Sequence, residues 1–302
     1  MSLADVSHPA PDPVSFRATP GGGTPPTFAR SGRFLRSELG MVFRRRRNLA
    51  LLVVLGCIPI LIAVAIKISG GTSGGGNGDG AALFGSITSN GVFVAFSALF
   101  VIMPLFLPMA VSVVAGDSVS GEANTGTLRY LLAVPVGRTR LLAVKFAAIV
   151  AWCVACSLVV AVVGMLIGLI LFGGGEVTLL SGTPVSFAAG LWRLTLVAGY
   201  VAASIAAVGA IGLFVSTLTE VPIAAMATTL GLTITSQVMD AVPQISAVHP
   251  WLPSHYWQQF IDMLRDPMAL DRVGHGLLAA ATYTLLFLTL AWARFNNKDV
   301  TS

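Results

Sequence analysis

The sequence predicts an all-α, polytopic membrane protein with six transmembrane helices, and three observations lead to this prediction. First, 55% of the 302 residues are hydrophobic and only 10% are charged, whereas soluble domains are about 25% charged. Second, six apolar segments reach or approach the roughly 20 residues that a helix needs to cross a bilayer. Third, lysine and arginine concentrate in alternate connecting segments, as they do in polytopic membrane proteins. So few charges cannot cover a soluble globule, and no second, soluble domain is indicated.

The N-terminal part divides into a tail and an amphipathic helix. Residues 1–27 are rich in proline and glycine and cannot bury a core, so we expect a disordered cytoplasmic tail. Residues 28–48 mix apolar and charged side chains, and Leu35, Leu39 and Val42 fall on one face of a helix. This segment is therefore predicted to be a helix that lies in the inner interface of the membrane, before the first span.

The transmembrane domain is predicted to occupy residues 49–295, and a cytoplasmic tail is predicted at 296–302. Its apolar segments mix Leu, Val and Ile with small residues, as packed membrane helices do. Pro104 and Pro108 predict a kink or break in the second span. The six predicted spans are Leu49–Ile66, Gly91–Ala115, Leu141–Phe172, Leu194–Val215, Val221–Met239 and Leu277–Ala293.

The last outer segment, residues 241–276, is long and mixed in character. Trp251, Tyr256 and Trp257 favour the membrane–water interface. We therefore expect short re-entrant helices that dip into the outer leaflet or lie on it. A metal role for His249 and His255 is conceivable, but their spacing is poor for metal ligands, and no metal site is predicted.

The distribution of positive charge sets the expected orientation. Fourteen lysines and arginines lie in the N-terminal region, the second-to-third linker and the C-terminal tail, against four on the other side. Because the richer side is cytoplasmic, both termini are predicted to be inside. The run Arg44–Arg47 abuts the first span, so anionic lipid and topology explain it, and no nucleic-acid partner is expected. Short loops without an organelle signal favour the plasma membrane.

The linker between the second and third spans is predicted to be a cytoplasmic helix lying across the membrane base. The possible caps are Asn124, Thr125 and Thr127, the apolar face is Leu128, Leu131 and Leu132, and the end is Pro135 and Gly137. This apolar face needs a cover, which is either lipid or another protein.

The linker resembles that of the permease subunits of type-2 ATP-binding-cassette transporters. The residues that carry the resemblance are Ser120, Gly121, Glu122, Gly126, Thr127, Leu128, Arg129, Leu131, Leu132, Pro135, Arg138, Leu141 and Lys145. The resemblance extends over about residues 30–300, through the six spans, the interfacial helix and the outer re-entrant helices. Ala123 and Asn124 depart from it, because relatives often carry more acids and bases there.

The resemblance implies an exporter in which two permease copies pair above two separate ATPase subunits. The implied ATPase-coupling helix comprises Ser120, Gly121, Glu122, Gly126, Thr127, Leu128, Arg129, Leu132, Pro135 and Arg138. ATP and Mg would be bound by the partner ATPase, so this chain would hold no cofactor and would not be an enzyme. A solvated pair remains the alternative reading for Glu122 and Arg129, and the linker leucines can equally pack on their own spans.

The energy source is expected to lie outside the chain. No G-x-x-x-x-G-K-[ST] motif is present, and the glycine clusters lack the lysine of a phosphate cradle. Proton-driven carriers usually bury ionisable residues near mid-membrane, and the predicted spans hold none there. A possible path for an amphiphilic cargo (drug, antibiotic, lipid or peptide) runs along Thr229, Thr233, Ser236 and Gln237, although such groups more often bond to backbone.

Small residues within the third span are expected to pack rather than react. Cys153 and Cys156 lack the setting of a redox motif. Gly164 and Gly168 allow another helix to approach closely. No catalytic residue set is found. Two other functions stay open: a membrane scaffold or sensor that recruits a cytosolic protein without transport, and an ATP-independent carrier.

Overall fold

A computed structural model describes residues 27–69, 83, 86, 90–124 and 138–297. The longer helices are α1 (Thr27–Arg44), α2 (Arg46–Ile68), α3 (Val92–Ile102), α4 (Phe106–Asn124), α5 (Arg138–Phe172), α6 (Phe187–Leu218), α7 (Pro222–Asp240) and α8 (Leu270–Asn297). Between α5 and α6, β1 (Val177–Thr178) pairs antiparallel with β2 (Pro184–Val185), with Val177 opposite Val185. The described fold is otherwise helical, so the predicted all-α class is confirmed.

Four described helices, α2, α5, α6 and α8, are long and apolar enough to cross a membrane. The pair α3 and α4 passes the same test together but is bent by 59°. Helix α7 has 19 residues and is not among the helices that pass. The described residues therefore form a membrane protein with four candidate spans, or five if the bent pair is one span.

The bend between α3 and α4 lies at a proline, as the sequence predicts. Pro104 falls between the two helices, and Pro108 lies in the first turn of α4. Proline lacks a backbone N–H, so it interrupts the helical ladder. The carbonyl oxygen of Pro104 accepts a hydrogen bond from the Gln237 side-chain amide of α7. A side chain from another helix thus bonds to backbone at the break.

Helix α6 is the centre of the bundle. In its most apolar stretch 83% of the residues are buried, against 28% in α2, 33% in α5 and 11% in α8. It packs against α4, α5, α7 and α8. Small residues permit this close packing; a Cβ at Gly212 would lie 2.7 Å from the Ala115 Cβ of α4. The outer surfaces of α2 and α8 carry exposed aliphatic side chains, which lipid would cover.

Helices α3 and α5 approach closely at two glycines of α5. A Cβ at Gly164 would lie 2.7 Å from the Cα of Ala95, and a Cβ at Gly168 would lie 1.9 Å from the carbonyl oxygen of Gly91. Real side chains do not approach backbone this closely, so both positions need glycine for this packing. The Gly91 N–H donates to the Gly173 carbonyl at 3.2 Å, which holds the start of α3 against the end of α5.

The segment between α7 and α8, residues 241–269, covers most of the stretch predicted to lie outside the membrane, and the name outer segment is used below for this range alone. It contains three 3₁₀ helices, Pro243–Ile245, His249–Trp251 and Trp257–Leu264. The buried Arg193 of α6 donates hydrogen bonds to the carbonyls of Met263 and Arg265, at 2.7 and 2.8 Å. Tyr200, also on α6, donates to the Tyr256 carbonyl. The outer segment is therefore fixed to the central helix.

Candidate functional site

Six charged side chains meet at the end of the bundle where α4 ends and α5 begins. This charged cluster consists of Glu38, Arg45, Arg47, Asp117, Glu122 and Lys145. Its members come from α1, the start of α2, the end of α4 and the start of α5. The three acids and three bases balance, so the cluster is neutral when all are ionised.

Helix α1 reaches the charged cluster because its apolar face packs on α5. The rings of Phe43 and Trp152 lie 5.5 Å apart between centroids. The Asn48 side chain donates to the Val42 carbonyl at 2.8 Å, which stabilises the turn from α1 into α2. This packing places Glu38, on the same helix, against the first turns of α5.

Lys145 is the buried centre of the cluster, with only 3% of its side chain exposed. Its Nζ donates to Glu122 Oε1 at 2.6 Å and to the Ser118 carbonyl at 2.9 Å. Glu38 Oε1 lies 3.6 Å from the same Nζ. Burial raises the pKa of the Glu38 carboxyl above its ordinary value, and the Lys145 ammonium opposes that rise. A buried charge needs such partners, because desolvation alone would cost several kcal/mol.

Asp117 forms the outer part of the charged cluster. Its carboxylate accepts hydrogen bonds from the guanidinium groups of Arg45 and Arg47, the latter at 3.0 Å. Both arginines are about half exposed, so solvent screens their ion pairs with Asp117, and each contributes only about 0–1 kcal/mol. The cleft beside the cluster has a volume of about 40 Å³. This cleft is far smaller than the roughly 300–1,000 Å³ of small-ligand pockets.

A serine of α6 holds the end of α4. The buried Ser216 hydroxyl donates to the Gly116 carbonyl at 2.8 Å and accepts from the N–H groups of Val119 and Ser120, at 3.0 and 2.9 Å. A Cβ at Gly116 would lie 2.7 Å from the backbone nitrogen of Met226 in α7. Two helices therefore contact the last turns of α4, directly before the linker.

The start of α5 is bonded to α8 as well as to α4. Trp292, near the end of α8, donates from its indole nitrogen to the Thr139 hydroxyl at 2.9 Å. Thr139 lies in the first turn of α5, one turn and a half before Lys145. Both ends of the linker are consequently bonded to the helices around it.

The predicted coupling residues are only partly within the described chain. Ser120, Gly121 and Glu122 lie in the last turns of α4, and Arg138 is the first residue of α5. Residues 125–137 lie outside the described residues, and with them Gly126, Thr127, Leu128, Arg129, Leu132 and Pro135. Glu122 differs from the expected docking residue, because it is bonded to Lys145 rather than presented on the surface.

The four predicted cargo-path residues all lie on α7, and their polar groups are bonded. Thr229 donates to the Ala225 carbonyl and Thr233 to the Thr229 carbonyl, at 2.8 and 2.9 Å. The hydroxyls of Ser236 and Ser254 share a hydrogen bond of 2.6 Å, and Gln237 binds the Pro104 carbonyl. These polar groups are therefore hydrogen-bonded within the protein, as polar groups in membrane helices more often are than to a cargo.

An apolar cavity of about 250 Å³ lies beside part of that path. Thr233 and Ser236 line it, together with residues of α6, α8 and the outer segment. Gln237 instead lines a separate cleft of about 180 Å³, and Thr229 lines neither cavity. The structure thus brings two of the four predicted residues to an apolar cavity near the size of small-ligand pockets.

Sequence reasoning missed most of the charged cluster and the Ser216 bridge. The available signal was Lys145 itself, because an ionisable residue two turns inside an apolar helix needs an opposite charge. Which acids would meet it was not visible, since Glu38 lies more than 100 positions away. Ser216 had no signal, because a serine in an apolar helix can bond across to any neighbouring helix and the sequence does not show which one.

Comparison with known proteins identifies a family for this chain, but the family has no described activity. Residues 79–301 match a family model described as "Protein of unknown function (DUF2705)". This match covers α3 to α8 and the linker, and with them three of the six residues of the charged cluster, but not α1 or α2. No curated protein matches the chain.

Proposed function

The chain belongs to the DUF2705 family, whose function is unknown, and we propose that it is the membrane-spanning permease subunit of an ATP-binding-cassette exporter. In this proposal six spans lie in the plasma membrane, with α7 as the fifth and both termini in the cytoplasm. A separate ATPase subunit, in two copies, binds ATP and Mg and docks on the linker. A second permease copy completes the transporter.

One observation carries the proposal: both ends of the linker are joined through one buried ion pair. Glu122, two residues before the end of α4, bonds to Lys145 in the second turn of α5, at 2.6 Å. A displacement of the linker would therefore move α4 and α5 together rather than unwinding one of them. Since both helices pack on α6, the movement would reach the centre of the bundle.

The bonds around α4 support transmission to the cargo side. Ser216 ties the end of α4 to α6, and Gln237 ties the break before α4 to α7. The cavity of about 250 Å³ lies between α6, α7, α8 and the outer segment. We propose that movement of α4 changes the shape of this cavity and releases an amphiphilic cargo outward, such as a drug, antibiotic, lipid or peptide.

The proposal is tested by placing a charge on the predicted docking face. We expect Leu128→Asp to reduce co-purification of the ATPase at least about 10-fold, because a carboxylate would be buried in an apolar groove without a partner. The measurement is quantitative mass spectrometry of the tagged full-length chain purified from its native membranes, together with export of a fluorescent amphiphile. The matched control is Leu218→Asp, an exposed leucine at the end of α6, which should change neither readout.

Three results would contradict the proposal. The first is a native preparation in which no subunit carries an ATP-binding-cassette sequence. The second is export by the purified chain alone in vesicles without ATP, which would identify an ATP-independent carrier. The third is a stoichiometric cytosolic partner without ATPase activity, which would favour the scaffold or sensor.

A further inference from the structure

Three side chains with metal-binding atoms converge where α7 meets the outer segment. Asp240 is the last residue of α7, His249 begins the second 3₁₀ helix, and His255 lies in the turn before the third. One ligand atom from each residue lies within 4.8 Å of the others. All three side chains are partly buried, at 26%, 17% and 28% exposure. They are thus positioned by the fold rather than extended into solvent.

The distances are close to those of a metal centre. His255 Nδ1 donates a hydrogen bond to Asp240 Oδ1 at 2.6 Å, whose proton a bound metal ion would replace, and His249 Nδ1 lies 3.9 Å from the same oxygen. Two ligands bound tetrahedrally to Zn²⁺ at about 2.0–2.2 Å are separated by about 3.4 Å. The His255–Asp240 separation must widen and the His249–Asp240 separation must narrow, each by less than 1 Å. The ligand nitrogens of the two histidines lie within 4.8 Å of each other and must also approach to about 3.4 Å, which side-chain rotation can supply.

His249 is already held in the tautomer that binding requires. Its Nε2 lies 3.1 Å from the Val242 carbonyl oxygen, which can only accept a hydrogen bond. Nε2 must therefore carry the proton, and in the neutral ring Nδ1 keeps its lone pair toward Asp240. A backbone carbonyl on the second ring nitrogen is the usual outer-shell support of a metal-bound histidine.

The surroundings favour a cation and leave a position for solvent. The site lies at the C-terminal end of α7, where the helix dipole is negative. The His255 ring packs edge-on against Tyr256, at 4.7 Å between centroids, which limits its rotation. The cleft of about 180 Å³ adjoins the site and is lined by Gln237, Asp240, Ser254 and His255 among others. Water in this cleft can complete a tetrahedral shell.

We propose that Asp240, His249 and His255 bind a divalent transition-metal ion, for which Zn²⁺ is best suited. Two imidazoles and one carboxylate are a ligand set that zinc accepts, and imidazole does not favour Mg²⁺ or Ca²⁺. The bound ion would tie the end of α7 to the outer segment, beside the Ser236–Ser254 and Gln237–Pro104 hydrogen bonds. It would thereby hold the outer face around the break between α3 and α4.

The test is a titration of the full chain in detergent with Co²⁺ and with Zn²⁺, after purification through a tag that lacks histidine. We expect one Co²⁺ per chain, with the visible absorption of a tetrahedral nitrogen and oxygen site and without the near-ultraviolet band of thiolate ligands. Zn²⁺ should compete for this site and raise the unfolding temperature, whereas equal Mg²⁺ should not. The absence of a thiolate band would show that the bound Co²⁺ is not held by Cys57, Cys153 or Cys156.

Variants assign the binding to these residues. His249→Ala and Asp240→Asn should each weaken Zn²⁺ binding by more than the roughly 10–100-fold that loss of an outer-shell partner costs. The control is His275→Ala, since His275 stacks on Tyr256 outside the cluster; it should bind as the wild type does. Unchanged affinity in the ligand variants, or no stoichiometric Co²⁺ binding by the wild type, overturns the proposal. If a variant fails to fold, the stoichiometry and spectrum of Co²⁺ binding by the wild-type chain decide the proposal by themselves.

Discussion

Replacement of Lys145 by methionine is expected to lower the free energy of unfolding by about 3–5 kcal/mol. The substitution leaves Glu38 and Glu122 close together in a buried place without the ammonium that bonds to Glu122 at 2.6 Å. It also removes the hydrogen bond to the Ser118 carbonyl. Since whole proteins are stable by only about 5–15 kcal/mol, much of the chain should unfold or be degraded. Denaturant unfolding in micelles and the yield in membranes measure the effect.

Two further variants separate charge balance from other causes. Lys67→Met removes an exposed lysine that donates to the Leu171 carbonyl near the opposite end of the bundle, and because this contact is exposed to solvent the change should cost less than about 1.5 kcal/mol. The triple variant Glu38→Gln, Glu122→Gln and Lys145→Met should recover most of the lost stability, because it removes the ammonium together with both carboxylates. A single variant as stable as the wild type would show that the buried pair does not hold the linker ends.

Gly168→Ala is expected to disrupt the packing of α3 on α5, at a cost of about 3 kcal/mol or more, beyond the usual range of overpacking. The new Cβ would lie 1.9 Å from the Gly91 carbonyl oxygen and 2.7 Å from the carbonyl carbon. These are backbone atoms, so no side-chain rotation relieves the clash. The hydrogen bond from Gly91 to Gly173 further limits any shift of α3. The measurement is again unfolding in micelles.

The matched control for this prediction is Gly231→Ala in α7. A Cβ there meets no atom within 4 Å, so alanine should be neutral or stabilise by about 0.5–1 kcal/mol through its helix preference. Equal effects at Gly168 and Gly231 would contradict the close approach of α3 and α5.

The apolar centres of the helices were predictable from the sequence, but their ends and angles were less so. The fourth predicted span, Leu194–Val215, lies inside α6, which runs from Phe187 to Leu218. Hydropathy detects the part of a helix that avoids water and does not detect polar turns such as the start capped by Ser186. The break at Pro104 was predictable because proline has a local effect, whereas its angle depends on packing.

The polar contacts between helices were not predictable, because they depend on packing between distant segments. Ser216 meets Gly116 only after α4 and α6 have packed together, and Lys145 meets Glu38 only after α1 and α5 have done so. The convergence of Asp240, His249 and His255, on which the proposed metal site rests, was not predicted for a related reason. The spacing of Asp240, His249 and His255 fits no regular helix or strand, and irregular 3₁₀ turns bring the three together.

Photo-crosslinking from the linker is the most direct test of the central claim, which is that a separate ATPase binds to residues 120–138. A benzoylphenylalanine at position 128, in cells that express the full-length chain, should crosslink to a cytosolic protein containing G-x-x-x-x-G-K-[ST]. The same group at Leu285, an exposed leucine of α8, should not. A crosslink from position 128 to lipid alone, or to a protein without that ATP-binding motif, would contradict the account.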